Sequence, residues 1–378
     1  MTKKVEKRVP DIRFKGFTDD WEQRKLGELF KERVDKSGNG QLLSVSISQG
    51  VKPFDESIRK NNSSKDKHNY KVVKTNDIAY NSMRMWQGAE GRANIQGIVS
   101  PAYTVLTPNS NVNSLFFELL FKTSKMLYIF RSHSQGLTSD TWNLKYPLLK
   151  DIYVNSPFIC EQEKISKLLV QVEKLLSLQQ KKLEQLKQFK KVMLQQIFPD
   201  KDGKLNIRFN GFNDAWEQRK LGEVVDVMSG QDYKHLDKGN IPVYGTGGYM
   251  LSVNKALSET EDAIGIGRKG TIDKPYLLKA PFWTVDTLFY SVPKKYYDLY
   301  FVNYIFQRIQ WRKYDESTGV PSLSKKTINS VSVSIPKYDE QKQIGSYLSK
   351  FDSLIALHQR KLDHLKLLKK FLLQKMFI

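Results

Sequence analysis

Apolar residues recur every three or four positions over 161–198, as Ile165, Leu169, Val172, Leu176, Leu183, Leu186, Met193 and Ile197, with lysines and glutamines between them. A 3-4 spacing sustained that long predicts one helix with a single apolar seam. The same phase returns over 340–378 as Ile344, Leu348, Phe351, Ile355, Leu362, Leu365, Leu372 and Met376. Neither stretch contains Pro, and only Gly345 interrupts helix propensity. At 1.5 Å per residue each helix reaches on the order of 55 Å, longer than a domain of this size needs for its own core, which suggests a spacer. The polar breaks in the seams match, Gln179 with His358 and Lys190 with Lys369. Polar seam residues set register, so an antiparallel coiled coil with Gln179 near His358 at its centre is the expectation. The plainer reading is a helix with gaps, packed loosely on its own domain.

Between the helices the period changes. Short strand-like runs such as LLSVSIS at 42–48, IPVYGTG at 241–247 and TLFYSV at 287–292 are broken by Gly, Asn, Ser and Pro, which signal turns. Helical stretches at 114–132 and 300–314 come before the end of each body. In both bodies a strand leads to an arginine, Arg84 or Arg268, then to a glycine turn, and the aromatic-bearing runs SPAYTVL at 100–106 and WTVDTLF at 283–289 follow. The expected fold is α+β: two mixed α/β domains of similar fold, separated by two long antiparallel helices in a pseudo-two-fold arrangement. The expected boundaries are an N-terminal segment 1–21, a first domain 22–158, a first helix 159–199, a linker 200–216, a second domain 217–337 and a second helix 338–378.

The chain is duplicated. IRFKGFTDDWEQRKLGEL at 12–29 returns as IRFNGFNDAWEQRKLGEV at 207–224, with fourteen of eighteen letters identical. EQEKI at 161 and EQKQI at 340 open the helices, which close in LQQIF and LQKMF. What lies between shares almost nothing, so two different surfaces are carried on one repeated frame.

Charge says what those surfaces meet. Against 40 Asp and Glu stand 61 Lys and Arg, a formal +21, which points to a polyanion and foremost to nucleic acid. The longest apolar run, LFFELLF from Leu115, is far short of the roughly 20 residues a membrane span needs. The basic N-terminus lacks an apolar signal-peptide region behind it, and Cys160 is the only cysteine. A soluble protein of the reducing cytoplasm is expected.

Catalytic motifs fail on context. GIGRKG from Gly265 fits the dinucleotide pattern, but Pro275 stands where the phosphate-binding helix would run, and the Gly-Lys-Ser/Thr order of a P-loop is missing. SPAY at Ser100 lacks the second proline of an amino-methyltransferase loop. Asp200, Asp202 and Lys204 crowd into one turn as a linker would, and five scattered histidines with one cysteine make no zinc site. No catalytic residue, metal or bound cofactor is expected in this chain.

Recognition chemistry remains. Ser82, Arg84, Trp86 and Gln87 in the first body, and Tyr244, Thr246, Tyr249, Arg268 and Lys269 in the second, bring cationic, amide, hydroxyl and aromatic groups next to glycines. Arg matches the two acceptors of guanine and Gln matches adenine. The dull alternatives are internal salt bridges for the arginines and core packing for Trp86. SDTWNLK at 139–145 and PSLSKK at 321–326 supply Ser139, Ser322, Lys325 and Lys326, which suit phosphates.

The WEQRKLGE openings at Trp21 and Trp216, GIGRKGTI, YGTGGY, STGVPSLS from Ser317 and the EQ-headed helices, taken in order, resemble the specificity subunit of type I restriction-modification systems over essentially the whole chain. That resemblance implies a non-catalytic subunit whose two target-recognition domains each read half of a split double-stranded DNA site. It also implies two methyltransferase subunits on the helical frame, methylating adenine with S-adenosylmethionine, and restriction subunits adding ATP- and Mg-dependent translocation and cutting. The partner-helix seam would be Ile165, Val172, Leu176, Gln179, Leu183 and Leu186 against Ile344, Phe351, Ile355, His358, Leu362 and Leu365. Duplex DNA has dyads, so two like domains dock equivalently on it only through a two-fold frame. The N-terminal segment would then correspond to 200–215, with the last helix ending near the chain's start. The alternatives are a coiled-coil scaffold for an acidic protein and an autonomous DNA-binding regulator.

Overall fold

The computed structural model describes residues 9–54, 63–199, 203 and 205–378; Asp200, Asp202 and Lys204 lie outside the described residues. The chain divides into two compact units, Met1–Gln179 with Lys361–Ile378, and Gln180–Arg360. Each unit therefore holds one body and a piece of each long helix, so the boundary falls inside the helices rather than at their ends.

The long helices run Ile159–Ile197 and Tyr338–Lys375. Their 3-4 seam is the face that loses solvent. In the first unit Ile165, Leu169, Val172, Leu362 and Leu372 are buried, with Leu176, Gln179 and Leu365 half-buried. In the second, Leu183, Ile197, Ile344 and Leu348 are buried, with Leu186, Phe351, Ile355 and His358 half-buried. The pieces pair antiparallel within the second unit. Lys190 Nζ reaches Asp352 at 2.5 Å, while Met193, Leu194 and Ile197, further along one helix, share a core with Ile344 and Leu348, earlier on the other. The equivalent Lys369–Glu173 ion pair, with Ile165, Leu169 and Val172 clustering with Leu372 and Met376, gives the same sense in the first unit. Both polar seam lysines thus find a carboxylate.

The bodies share a topology. In the first, an antiparallel sheet orders Phe30–Glu32, Tyr103–Pro108, Ile78–Asn81 and Glu90–Arg92. In the second, Val225–Ser229, Leu288–Pro293, Ala263–Gly267 and Tyr276–Leu278 take the same places. A strand from the WEQRK segment pairs with the last strand of each body, Glu22–Lys25 with Tyr153–Ser156 and Glu217–Lys220 with Ser332–Ile335. Three-stranded pairing of Gly248–Val253, Lys238–Gly245 and Trp283–Thr284 is found in the second body. WTVDTLF is accordingly two strands around a turn, and the strand equivalent to Tyr103–Pro108 starts at Leu288. The helix expected over 114–132 is two, Ser114–Phe121 and Ser124–His133, because the Thr123 hydroxyl accepts from the Met126 N–H and caps a new start. The stretch 300–314 likewise forms Leu299–Arg308 and a short 3-10 turn, Trp311–Tyr314.

The repeated letters are the parts that clamp body to helix. Arg13 makes a bidentate pair with Glu161 at 2.7 and 2.8 Å, and Arg208 with Glu340 at 2.8 and 2.7 Å. Bonding to the carboxylate raises both guanidinium pKa values further. Gln162 accepts from the Asn113 N–H and donates to the Pro157 carbonyl; Gln341 does the same with Asp298 and Pro336. Asn113 and Asp298 in turn cap the helices starting at Ser114 and Leu299. Trp21 meets Phe116, which meets Phe377; Trp216 meets Phe301, which stacks on Phe198. Gly345 has a packing reason, since a Cβ there would lie 2.3 Å from Asp298 Oδ1 and 3.0 Å from the Phe301 nitrogen. Finally, the Ile12 N–H donates to the Lys375 carbonyl and the Ile207 N–H to that of Gln196, 2.9 and 3.0 Å. Ile12 therefore sits on the last helix as Ile207 sits on the first, and the two halves are cyclically related.

Candidate nucleic-acid interface

In each body the strand that leads to the arginine is tied to the loop before the last strand by an equivalent main-chain bond. Leu144 donates to the Ser82 carbonyl at 2.8 Å, and Leu323 to the Arg268 carbonyl at 3.0 Å. Two separate strings of the sequence thus become one surface.

In the first body, Met85–Gln87 form a 3-10 turn ending at Gly88, whose φ of +83° suits glycine. Arg84 is exposed and donates to Gln87 Oε1 at 3.1 Å, so the two side chains lie together. Trp86 is half-buried, gives its indole N–H to the Met83 carbonyl, and packs edge-on against Trp142 at 5.2 Å. Arg131 lies over the other tryptophan, 5.1 Å from the Trp142 ring. Arg131 and Trp142 are functional candidates absent from the site residues expected above; Trp142 was visible in the SDTWNLK string, whereas Arg131 reads as an ordinary helical residue. Ser139 is exposed on that loop. Ser82 belongs elsewhere: it is buried, its hydroxyl spent on Thr104 at 2.9 Å, so its side chain stands behind the face.

In the second body, Arg268, Lys269, Ser322 and Lys325 line one concavity of about 420 Å³. The strand end pairs with the late loop, Lys269 bridging to Ser322 and Gly270 donating to Pro321. Two carboxylates hold that loop from behind. Asp315 accepts from the Ser322 and Ser317 N–H groups, and Glu316 from the hydroxyls of Thr327 and Ser324; these bonds lower both pKa values. Arg268 is exposed and makes no ion pair among the described residues; its Nη1 leans on the Asp286 carbonyl at 3.4 Å. Lys326 is exposed next to Lys325 but does not line the concavity. Thr246 and Tyr249 line a neighbouring hollow of about 620 Å³ at the hairpin turn Gly245–Gly248. Tyr244 is half-buried, its ring packing toward Tyr276, whose hydroxyl donates to the Gly245 carbonyl, and toward its cross-strand partner Tyr249; it supports the hairpin and does not line the hollow.

The GIGRKG string is strand, turn, then the strand Tyr276–Leu278, with no helix whose N-terminus could face a phosphate. Among the described residues no group of three or more His, Cys, Asp or Glu could hold a metal, and no helix is long and apolar enough to cross a membrane.

Paired α+β units with exposed cationic and aromatic loops on a clamped helical frame define a two-domain recognition protein. The model of the type I restriction modification DNA specificity domain matches residues 18–188 and again 213–367, and the chain belongs to that family. It is 22% identical to the type I restriction enzyme MjaVIII specificity subunit of Methanocaldococcus jannaschii, over 93% of this chain and 91% of that protein. A crystal structure of a type I restriction-modification S subunit from M. genitalium shares the fold, with a TM-score of 0.67 at 17% identity, covering 98% of this chain and 99% of that one. A chain from a structural study of type I R-M complex assembly and conformational transition aligns with a TM-score of 0.52 at 17% identity, over 94% and 97%.

Proposed function

We propose that the chain is the non-catalytic DNA-reading subunit of a type I restriction-modification assembly, each domain reading one half of a bipartite, asymmetric site in duplex DNA. The observation that carries this reading is the shared main-chain tie, Leu144 to Ser82 and Leu323 to Arg268, holding different side chains forward: Arg84, Gln87 and Trp86 in one body, Arg268, Lys269 and Lys325 in the other. A common backbone device with divergent chemistry is what reading two different sequences on one type of helix requires.

Partners are read from the outer faces of the long helices. Leu175 and Leu178 with Leu368 and Phe371 are exposed in the first unit, and Leu354 and Leu357 with Phe189 and Val192 in the second. These are equivalent positions of the two repeats, so one kind of apolar surface occurs twice, which suits two copies of one subunit. We assign them to two methyltransferase subunits, which carry S-adenosylmethionine and methylate adenine; ATP and Mg belong to restriction subunits. The matching polar breaks of the two seams, Gln179 and His358, would set the register and with it the distance between half-sites.

Mapping methylated adenines in DNA exposed to the chain and its methyltransferase partner tests the reading. Exchanging residues 22–158 for those of a relative should change one half-site only. Changes in both would show that the domains do not read independently.

A further inference from the structure

The hollow beside Arg268 contains a carboxylate that the fold does not use. Asp286 is exposed on the turn between Trp283–Thr284 and Leu288–Pro293. The main chain of that turn is tied down at three points: Val285 donates to Tyr244, Leu288 to Val285, and Thr287 accepts from Arg268 at 2.8 Å. The Asp286 carbonyl lies 3.4 Å from the Arg268 guanidinium, yet the Asp286 carboxylate makes no ion pair or hydrogen bond among the described residues. Its neighbour across the hollow, Asp232, by contrast accepts from the Lys234 N–H and shapes its own turn. In a chain of formal charge +21, an unpaired acid next to the principal exposed arginine works against phosphate binding. It gains only if what faces it is a hydrogen-bond donor.

Resting on the DNA-reading role above, we propose that Asp286 is a base-reading residue of the second domain, its carboxylate accepting from an exocyclic amino group in the major groove, next to a guanine taken by Arg268. The major-groove edge offers an amino donor on cytosine N4 and adenine N6, and a carboxylate accepts either. Guanine presents two acceptors, which the Arg268 fork fits. An acceptor and a cationic fork held together by the contact of the Arg268 guanidinium with the Asp286 carbonyl therefore read neighbouring positions of one half-site. Tyr249, exposed on the opposite wall of the hollow, with its hydroxyl 3.2 Å from Ser252, supplies an aromatic edge to the same space.

The test compares D286N and D286A with the unmodified chain, each assembled with its methyltransferase partner, on the mapped target, on every single-base variant of the second half-site, and on random duplex. For D286A the proposal expects binding to the target to weaken on the order of 10- to 100-fold with discrimination lost at one position; D286N, whose amide oxygen still accepts from an amino group, is expected to lose less, and both bind random duplex as well or better. Loss at a C·G pair identifies cytosine, and loss at an A·T pair adenine. If both variants bind target and random duplex equally more tightly, or neither changes, Asp286 only repels phosphate or is idle, and the proposal falls. An unmodified assembly without preference for any duplex would instead overturn the DNA-reading role itself. D286N keeps the shape of the turn, so its loss cannot be assigned to misfolding when its melting temperature is unchanged.

Discussion

Removing Arg208 should destabilise the second unit far more than an ordinary surface change. Glu340 is 1% exposed, and among the described residues its carboxylate bonds only Arg208, through contacts of 2.8 and 2.7 Å. R208M leaves that carboxylate buried and unpaired, which costs roughly 3–5 kcal/mol. R208M also deletes the 2.6 Å bond to the Asp214 carbonyl, so the segment carrying Trp216 loses both of the ties that run through Arg208. The double variant R208M/E340M replaces the pair with apolar side chains and should regain most of the loss, to within about 1–2 kcal/mol of the parent. Urea unfolding of the four proteins of the cycle gives the coupling energy, expected to be about 2 kcal/mol or more. Hydrogen exchange localises it: the Ile207 amide, bonded to Gln196, should lose protection, while the Ile12 amide, bonded to Lys375, should keep it. A loss under about 1 kcal/mol, or a double variant as unstable as the two singles added, would refute the clamp.

Glu90 gives a pH dependence to the first unit. It is fully buried, neither carboxyl oxygen is hydrogen-bonded, and burial pushes its pKa from 4.5 up to about 8 despite Lys122 Nζ at 3.7 Å. The folded state therefore holds a proton that the unfolded chain has released, so stability falls as pH rises from about 4.5 to about 8, by up to ~1.4 kcal/mol per pH unit. E90Q should flatten the melting temperature over that window, and parallel profiles for the two proteins would count against it. Alanine at Lys325 and Lys326 together should weaken binding alike on every sequence and reduce the salt slope by up to about two, whereas R268A should relax discrimination at one position, as titrations at several salt concentrations would show. A whole-turn insertion after Gln180 should lengthen the spacer and leave both half-sites unchanged; altered half-sites would exclude the helices as the ruler.

The long helices were legible because a 3-4 period survives any sequence context, and its seam positions are the ones that lose solvent. The clamp residues were legible only as letters. Arg13, Glu161, Gln162 and their counterparts repeat, but repetition does not say that an arginine 148 residues away closes on the glutamate, or that the glutamine grips a helix cap. Those are long-range contacts, and no local propensity encodes them. For the same reason the sheet order of the bodies was invisible, while single strands such as Leu43–Ser46 and Leu288–Pro293 were found from their composition. The break at Thr123 was missed because a capping hydroxyl competes with helix continuation only when the chain turns there.

The candidate interface shows the sharper limit. Of the polar groups singled out by side-chain type, Arg84, Arg268 and Lys325 are exposed and Gln87 is half-buried beside Arg84, but Ser82, singled out in the same way, is spent inside on Thr104. Tyr244 and Tyr249 are cross-strand partners on one hairpin with rings 6.4 Å apart, yet only Tyr249 faces the hollow, because Tyr244 is also covered by Tyr276 on its other side. Arg131 and Trp142 reach the Trp86 face from a helix and a loop that the sequence keeps 45 or more residues further along the chain. What a sequence marks is therefore the chemistry available to a recognition surface. Which of those groups is free to meet a ligand is decided by hydrogen bonds already made within the fold, and by that criterion Asp286, whose carboxylate has no partner among the described residues, and Arg268, whose guanidinium makes one 3.4 Å contact to the Asp286 carbonyl, remain available for the proposed reading.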